Sequence, residues 1–524
     1  MISINEVTTV MFKGLRKTGY PLILIILLAL AFSATPVNAD EPAFEISQLG
    51  VADKMLDIHI SDFDSDGLKD IMITHIKGLP PKETRWISIF HQSSNGKFFS
   101  AADQSWEIDS AAVIMDTGDI TGDSREEIVY FTDRSIKYYQ IRDGFYFHTE
   151  PEVLLNVRGM TLFPEKDDIP LIDFVRDWSG NGRNEIAAFR FEGLSLYSAD
   201  SAGVYREYNS IPVKIESSVS GRISRDYPFR TEGLTSNFYF PDLNLIDYNN
   251  DGRSDLLITR EDRLYVYIKD RSNMFRDQPE VYMNFDVRSR KEKIEAMANV
   301  YTTIQNLDSD GYSDVIVTKQ TARGITELRG VLSIYNGREE GYKSTPDQVI
   351  ISEGTASAGT TIMDVNGDGK MDLILPSVKI SVTSLIRFLI TRSFPIRFNI
   401  FLYNENGRFS ENPDFSKEVK FKIDFSGESD TQAINLHGDF NNDLRKDFVF
   451  ATDDDQLSIY LGITNNDDKI FSDDRAAEID ILAFGEIEVE DLNGDGYSDM
   501  LLYYPQNRDM EGKINVLMNL RRIK

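Results

Sequence analysis

DLNGDGYSD at 491–499, DVNGDGKMD at 364–372 and DFDSDGLKD at 62–70 are three settings of one nine-residue acidic phrase. Five more copies follow the same pattern: DITGDSREE (119–127), DWSGNGRNE (177–185), DYNNDGRSD (247–255), NLDSDGYSD (306–314) and DFNNDLRKD (439–447). Successive copies start 57, 58, 70, 59, 58, 75 and 52 residues apart. Recurrence at that interval marks a repeat architecture in which each repeat is one supersecondary unit. The consensus, D-x-[DN]-x-D-G-x-x-D, puts oxygen donors at positions 1, 3, 5 and 9 of a tight loop.

Such a donor set suits Ca2+, a hard ion that takes about six to eight oxygens at roughly 2.3–2.6 Å. Positions 1, 3 and 5 converge on one point, the carbonyl of position 7 adds a fourth oxygen, and the carboxylate at 9 closes the shell. The expected ligands of the first loop are Asp62, Asp64, Asp66, the Leu68 carbonyl and Asp70. The second offers Asp119, Thr121, Asp123 and Glu127, and the fourth Asp247, Asn249, Asp251, Arg253 and Asp255. The fifth offers Asn306, Asp308, Asp310, Tyr312 and Asp314, and the sixth Asp364, Asn366, Asp368, Lys370 and Asp372. Asp439, Asn441, Asp443, Arg445 and Asp447 form the seventh, and Asp491, Asn493, Asp495, Tyr497 and Asp499 the eighth. At Arg253, Tyr312, Lys370, Arg445 and Tyr497, as at Leu68, the donor is the backbone.

Glycine at position 6 allows a sharp bend with positive φ. Leu444 takes that slot in the seventh copy, at a cost of about 1 kcal/mol if it is left-handed. The third copy, with Ser179 and Asn181, keeps only two carboxylates, Asp177 and Glu185. It reads as an Asx-type turn that holds its shape without metal, and the second copy stands between the two cases. Five to eight calcium sites are therefore expected.

The chain has 524 residues, a net charge of −29 and no cysteine. The charge argues against nucleic acid as a partner. Positions 1, 3, 5 and 9 of the eight loops hold 24 of the carboxylates. Without cations those clusters repel, so stability should depend on the metal. The lack of cysteine excludes a disulfide framework and a lipid-modified cysteine.

Residues 1–39 read as a secretory signal. Lys13, Arg16 and Lys17 precede the apolar run PLILIILLALAF (21–32), and Val37-Asn38-Ala39 suits cleavage before Asp40. An uncleaved anchor is the alternative, but 12 apolar residues (21–32) are short for a span of about 20. The expected address is secreted, periplasmic or extracellular.

Short β-branched and aromatic runs flank each loop. IMIT (71–74), IVYFT (128–132), VIVT (315–318) and MLLY (500–503) follow it, and third runs such as WISIF (86–90), VLSIY (331–335) and INVLM (515–519) come next. With a weaker fourth run, each repeat carries four strands, the content of one propeller blade. The eighth copy runs out of chain after its third strand, while FEISQL (44–49) lies unused before the first. The expected fold is all-β, a β-propeller of eight four-stranded blades closed by that N-terminal strand, over 40–524. Seven blades with one displaced repeat is the runner-up.

These repeats resemble the FG-GAP and VCBS-type repeats of the integrin α-chain β-propeller superfamily, over nearly all of 40–524. The acidic loop carries the resemblance, whereas the Phe-Gly and Gly-Ala-Pro signatures are mostly absent. The resemblance implies calcium in the hairpin loops of one face and partners on the other.

Strand counting puts three long connections on the face away from the loops: 203–240, VRSRKEK (287–293) and 377–397. All are basic in a very acidic protein, which suggests an anionic glycan or protein partner. The candidate contacts are Arg222, Arg225, Arg230, Arg288, Arg290, Arg387 and Arg392. Apolar residues from Ile380 to Ile390 are spaced for a short amphipathic helix, a cap over the ring mouth or a docking element for a partner or membrane.

Catalytic signals are poor. The five histidines, His59, His75, His91, His148 and His437, form no nucleophile or metal-ligand pattern. Trp86, Trp106 and Trp178 could stack sugars, though strand aromatics are usually core. The chain therefore reads as a secreted, calcium-binding propeller acting as a binding or adhesion module for a glycan or protein. The alternatives are a calcium-dependent polysaccharide lyase or glycosidase, which a Lys/Tyr/Arg cluster would favour, and a structural platform of an envelope complex.

Overall fold

Each acidic phrase turns the chain between two antiparallel strands. In the first repeat Met55–Ser61 runs to the loop and Asp70–Lys77 runs back, paired from Ser61↔Asp70 to Met55↔His75. Thr84–Phe90 and Gln104–Glu107 add outward in turn. A computed structural model of the protein describes residues 42–523 apart from 52–53, 80, 161–163, 166–167, 221–234, 296–297, 324–326, 354–359, 379–382, 385–386, 388–392, 423–433, 454–455, 464–468, 484 and 505–506. The four-stranded meander recurs over 55–107, 114–155, 175–211, 242–284, 298–353, 361–422 and 434–480. The eighth sheet takes Glu486–Glu490, Asp499–Tyr503 and Lys513–Asn519 from the C-terminal end and Phe44–Gly50 from the N-terminal end. Eight blades, not seven, make the ring, and the spare N-terminal run closes it, from Phe44↔Asn519 to Gly50↔Lys513.

The second strand of a blade is buried on both faces, because each blade is packed between two neighbours. Asp70–Lys77, Glu127–Phe131 and Asp499–Tyr503 are buried almost throughout, so they read as continuous apolar runs rather than alternating ones. Hydrophobic clusters fill the seams. Phe63, Met72, Ile87 and Trp106 of blade one meet Met115, Ile128 and Tyr139 of blade two. Leu492, Leu501 and Val516 of blade eight meet Ile58, Ile71 and Phe90 of blade one, which closes the circle. The seventh and eighth blades join through Phe44 against Phe440, with ring centroids 5.9 Å apart, and through the Asn435 amide on the Ile487 carbonyl at 3.1 Å.

The elaborations are narrower than their sequence spans. Tyr205–Ile211, inside 203–240, is the fourth strand of blade three, and its buried Tyr205, Asn209 and Ile211 mark the side packed inward. What remains is a ribbon of Glu216–Ser220 paired with Thr235–Tyr239. In blade six the third strand begins at Ser393, so residues 393–397 are ladder, held by Ser377↔Arg397 and Ser393↔Lys422. Of the helix expected over 380–390, most lies outside the described residues, and 383–384 and 387 are helical. Between blades four and five a helix, Arg290–Glu295, is started by a reciprocal cap. Ser289 N donates to Glu292 Oε2 at 2.7 Å, and Glu292 N to Ser289 Oγ at 3.3 Å.

Candidate functional site

Every acidic loop links a first strand to a second, so all eight share one rim of the ring. Within a loop the carboxylate at position 1 organises the turn by accepting backbone N–H groups. Asp62 accepts from Asp66 and Gly67 at 3.0 and 2.9 Å, and Asp247 from Asp251 and Gly252 at 3.0 and 2.8 Å. Asp364, Asp439 and Asp491 repeat the pattern. Position 5 accepts from the N–H of position 7, as Asp66 does from Leu68 at 2.8 Å and Asp495 from Tyr497 at 2.9 Å. Carboxylate oxygens of Asp62, Asp64 and Asp66 come within 4.8 Å of one another.

Position 9 lies deeper. Asp255, Asp314, Asp372, Asp447 and Asp499 are buried, and each ties its loop to its own blade. One carboxylate oxygen accepts from the N–H of position 2, as Asp314 does from Leu307 at 2.7 Å. The other accepts from a residue just past the third strand, as Asp314 does from Gly337 at 2.8 Å. Burial, with the neighbouring loop carboxylates, pushes Asp314, Asp372, Asp447 and Asp499 up to about 7, and Asp255 to about 6. A carboxylate held there calls for a nearby positive charge.

The donor set fits a hard divalent cation by a second observation. The Oδ1 atoms of Asn306, at position 1 of the fifth loop, and Asn441, at position 3 of the seventh, are buried without a hydrogen-bond partner. A buried amide oxygen left unpaired is costly unless something completes it. Asp62, Asp64, Asp66, Asp70 and the Leu68 carbonyl would hold the ion in the first loop, and the corresponding residues in the others. The second loop is self-satisfied in part: Glu127 accepts from Ile120 N at 3.0 Å and from Thr121 N and Oγ1 at 3.2 and 3.1 Å.

Two features of the loops escaped the sequence reading. Position 4 is left-handed as well as position 6: Ser65, Asn250, Ser309 and Asn442 hold φ of 62°, 57°, 60° and 58°, and the other copies have glycine there. Position 2 is an apolar plug, with Phe63, Trp178, Leu307, Val365, Phe440 and Leu492 all fully buried. Its carbonyl accepts from the next blade. Phe63 O receives Glu126 N at 3.0 Å, Leu307 O receives Met371 N at 2.8 Å, Val365 O receives Lys446 N at 3.0 Å, and Leu492 O receives Lys69 N at 2.8 Å. The loops thus form a hydrogen-bonded belt. Both signals stood in the sequence, as the Ser/Gly/Asn series at position 4 and the apolar series at position 2.

The opposite rim carries the strand-two to strand-three turns and the blade-to-blade connections. Arg222, Arg225, Arg230 and Arg392 lie outside the described residues. Arg290 and Arg387 are exposed. Arg288 is largely buried and engaged, its guanidinium 2.5 Å from Glu261 and 3.1 Å from Asp262, so it serves the fold. Among the described residues this rim also carries exposed aromatic rings. Phe191 is 62 % exposed, and Phe238, Tyr239 and Phe240 are exposed beside it. Phe191 meets Phe238 edge-on at 6.2 Å, and Phe240 meets Phe189 at 4.8 Å. Two cavities of about 310 and 290 Å³ flank Pro241 at the ribbon's base. Phe131, Phe174, Phe189, Ile172 and Arg176 line the larger one.

Trp106 and Trp178 are core, and Trp86 lies under the Lys77 ammonium, 3.5 Å from its ring centroid. His75 is buried, with Nε2 2.9 Å from Ser88 Oγ. A Lys/Tyr/Arg group does exist, at Arg85, Tyr130, Lys137 and Tyr139 around Asp109, but it sits in the seam of blades one and two. Asp109 accepts from Lys137 Nζ at 2.7 Å and from the hydroxyl of the buried Tyr130 at 3.2 Å. Burial raises Tyr130 far above the usual phenol range, the wrong direction for a proton-abstracting tyrosinate.

The FG-GAP-like repeat family matches residues 306–375. Integrin alpha-8 of Gallus gallus is 30% identical over 118 residues, 20% of this chain and 10% of that protein. Integrin alpha-4 of Xenopus laevis is 26% identical over 144 residues, 25% of this chain and 13% of that one. The chain thus matches only about a tenth of the length of these relatives. An Agrocybe aegerita lectin structure, described as recognising non-reducing terminal N-acetylglucosamine, aligns over 91% of this chain and 96% of its own at 14% identity and a TM-score of 0.40. A likeness at that score carries no argument about a ligand.

Proposed function

We propose, from the premise that this chain is an FG-GAP-type, integrin-like β-propeller, that it is a secreted, calcium-loaded binding module. Calcium in the loop belt holds one rim of the ring rigid. The opposite rim engages a glycan or protein partner through the aromatic patch of Phe191, Phe238, Tyr239 and Phe240. The single observation that supports this reading is the patch itself, a run of exposed rings beside two cavities on the rim that the loops leave unused. Contiguous exposed aromatic surface of this kind marks interaction sites. Its rings suit the apolar faces of sugars or the side chains of a protein partner.

The test is retention of the calcium-loaded protein, residues 40–524, on immobilised acidic and neutral polysaccharides, with new chain ends assayed in parallel. Retention that falls about tenfold, or about 1.4 kcal/mol, in Phe238→Ser/Tyr239→Ser supports a glycan-binding module at this patch. Appearance of new chain ends makes it an enzyme and overturns the reading. Retention indifferent to the double substitution moves the site elsewhere on the ring.

A further inference from the structure

The belt of inter-loop bonds is interrupted between the second and third loops. Phe63, Leu307, Val365 and Leu492 each give a position-2 carbonyl to a backbone N–H of the next loop. The corresponding carbonyl of the second loop, Ile120 O, receives a side chain instead. The hydroxyl of the buried Tyr205 lies 2.9 Å from Ile120 O and 3.3 Å from Asn184 O of the third loop. One phenol thus spans both loops, and a cleft of about 660 Å³ opens between them.

The walls of this cleft are polar. Asp119 and Ser124 come from the second loop, Arg183, Asn184 and Glu185 from the third, and Ser198 from the third strand of blade three. The carboxylates are engaged within their own blades. Asp119 accepts from Gly122 N, Asp123 N and Ser124 N at 2.6, 3.2 and 2.8 Å. Glu185 accepts from Ser179 N at 2.7 Å, from the Tyr208 hydroxyl at 2.9 Å and from Asn181 Nδ2 at 3.1 Å. The donors are not engaged. In the second, fourth and seventh loops the position-7 arginine turns back onto the position-5 aspartate: Arg125 onto Asp123 at 2.6 Å, Arg445 onto Asp443 at 3.2 Å, and Arg253 onto Asp251. The third loop has Asn181 at position 5, and Arg183 lines the cleft instead. No hydrogen bond or ion pair with another described residue engages its guanidinium, the Asn184 side-chain amide or the hydroxyls of Ser124 and Ser198.

A guanidinium with five N–H donors, an amide and two hydroxyls, beside carboxylates that keep lone pairs to spare, suit a ligand dense in hydroxyl groups. The cleft has the size of a small-ligand pocket, about 300–1,000 Å³, with polar groups where such pockets are usually apolar. Charge narrows the class further. The two loops hold six carboxylates against Arg125 and Arg183, so an anionic ligand is repelled by the rim, while a cationic one meets Arg183 in the cleft. We propose that the cleft between the second and third loops binds a short neutral saccharide, whose hydroxyls accept from Arg183 and Asn184 and donate to the loop carboxylates. The site lies on the loop rim, apart from the aromatic patch, and does not rest on it.

The test is titration of the calcium-loaded protein, residues 40–524, with maltose, cellobiose and lactose, and with digalacturonate as the acidic counterpart, followed by saturation-transfer NMR and calorimetry. At least one of the three neutral disaccharides is expected to bind, more tightly than digalacturonate. Arg183→Gln and Asn184→Ala are each expected to weaken that binding by about tenfold, the loss of a hydrogen bond to the ligand. The urea midpoint of each variant is measured alongside, and if one variant is destabilised the other decides. Binding by none of the three neutral disaccharides overturns the proposal. Digalacturonate held as tightly as they are, or more so, overturns the neutral class. Neutral binding that survives both substitutions places the saccharide outside the cleft and overturns the site.

Discussion

Leu444 holds φ of +68° on a side chain that is 79 % exposed, so it carries the strain of a left-handed backbone and packs against little. Leu444→Gly should therefore stabilise the protein by about 1 kcal/mol, read as a raised urea midpoint with unchanged slope. A lower midpoint would mean that the leucine makes contacts the ring needs. Asp116, on the first strand of blade two, presents a different residue-scale case. Its carboxylate accepts from Phe174 N and Val175 N of blade three, both at 2.6 Å, and burial pushes it up to about 6. Because the folded pKa lies above the unfolded value, the folded state binds the proton more tightly. Stability from this group is present in full below about pH 4 and is lost as pH rises through about 6. In EGTA, Asp116→Asn should gain stability relative to the parent between pH 4 and pH 7, and a constant difference would remove Asp116 from the pH response. Position 6 was legible in the six loops that place glycine there, because glycine announces positive φ, and Ser124 and Leu444 take the same left-handed backbone in the other two. Position 4 was harder to read because serine and asparagine fill it as often as glycine, and those residues have many other uses. Lys269 was not legible at all: it is 1 % exposed with Nζ donating to Trp178 O of the preceding blade at 2.9 Å, whereas a lysine after a strand ordinarily points to water.

At the scale of elements, the blades follow from their hairpins. The second strands stood out as unbroken apolar runs, because burial on both faces removes the alternation that would otherwise be seen. The boundaries of the insertions did not stand out. Ser393–Phe401 follows a basic stretch and carries Arg397 within its ladder, between Ser377 and Glu418, and Tyr205–Ile211 mixes polar and aromatic residues because only one side of an outermost strand is covered. The closing strand offers the sharpest element-scale test. Leu49 is buried and pairs with Ile514. Leu49→Ala should cost about 2–5 kcal/mol, seen as a lowered urea midpoint. An unchanged midpoint would mean that Phe44–Gly50 contributes little to holding blade eight.

For the whole molecule, eight acidic loops on one rim set the energetics. Carboxylates within each loop repel one another and the position-9 groups are buried, so calcium should raise the melting temperature, and EGTA should lower it by roughly 5 °C or more. Calorimetry with and without chelator checks this, and an unchanged transition would leave the loops as self-sufficient turns. The belt of inter-blade hydrogen bonds also predicts that chelation loosens seams as well as loops, which hydrogen exchange at Glu126, Met371 and Lys446 would register. The way the ring is fastened carries a consequence for how the protein is made. Gln48 bonds to Asn515, 467 residues further along, so the closing strand Phe44–Gly50 must wait for the eighth repeat. Until Lys513–Asn519 has been made, blade eight has no complete sheet. The ring therefore stays open, and its first strand unpaired, for as long as the eighth repeat is still to come.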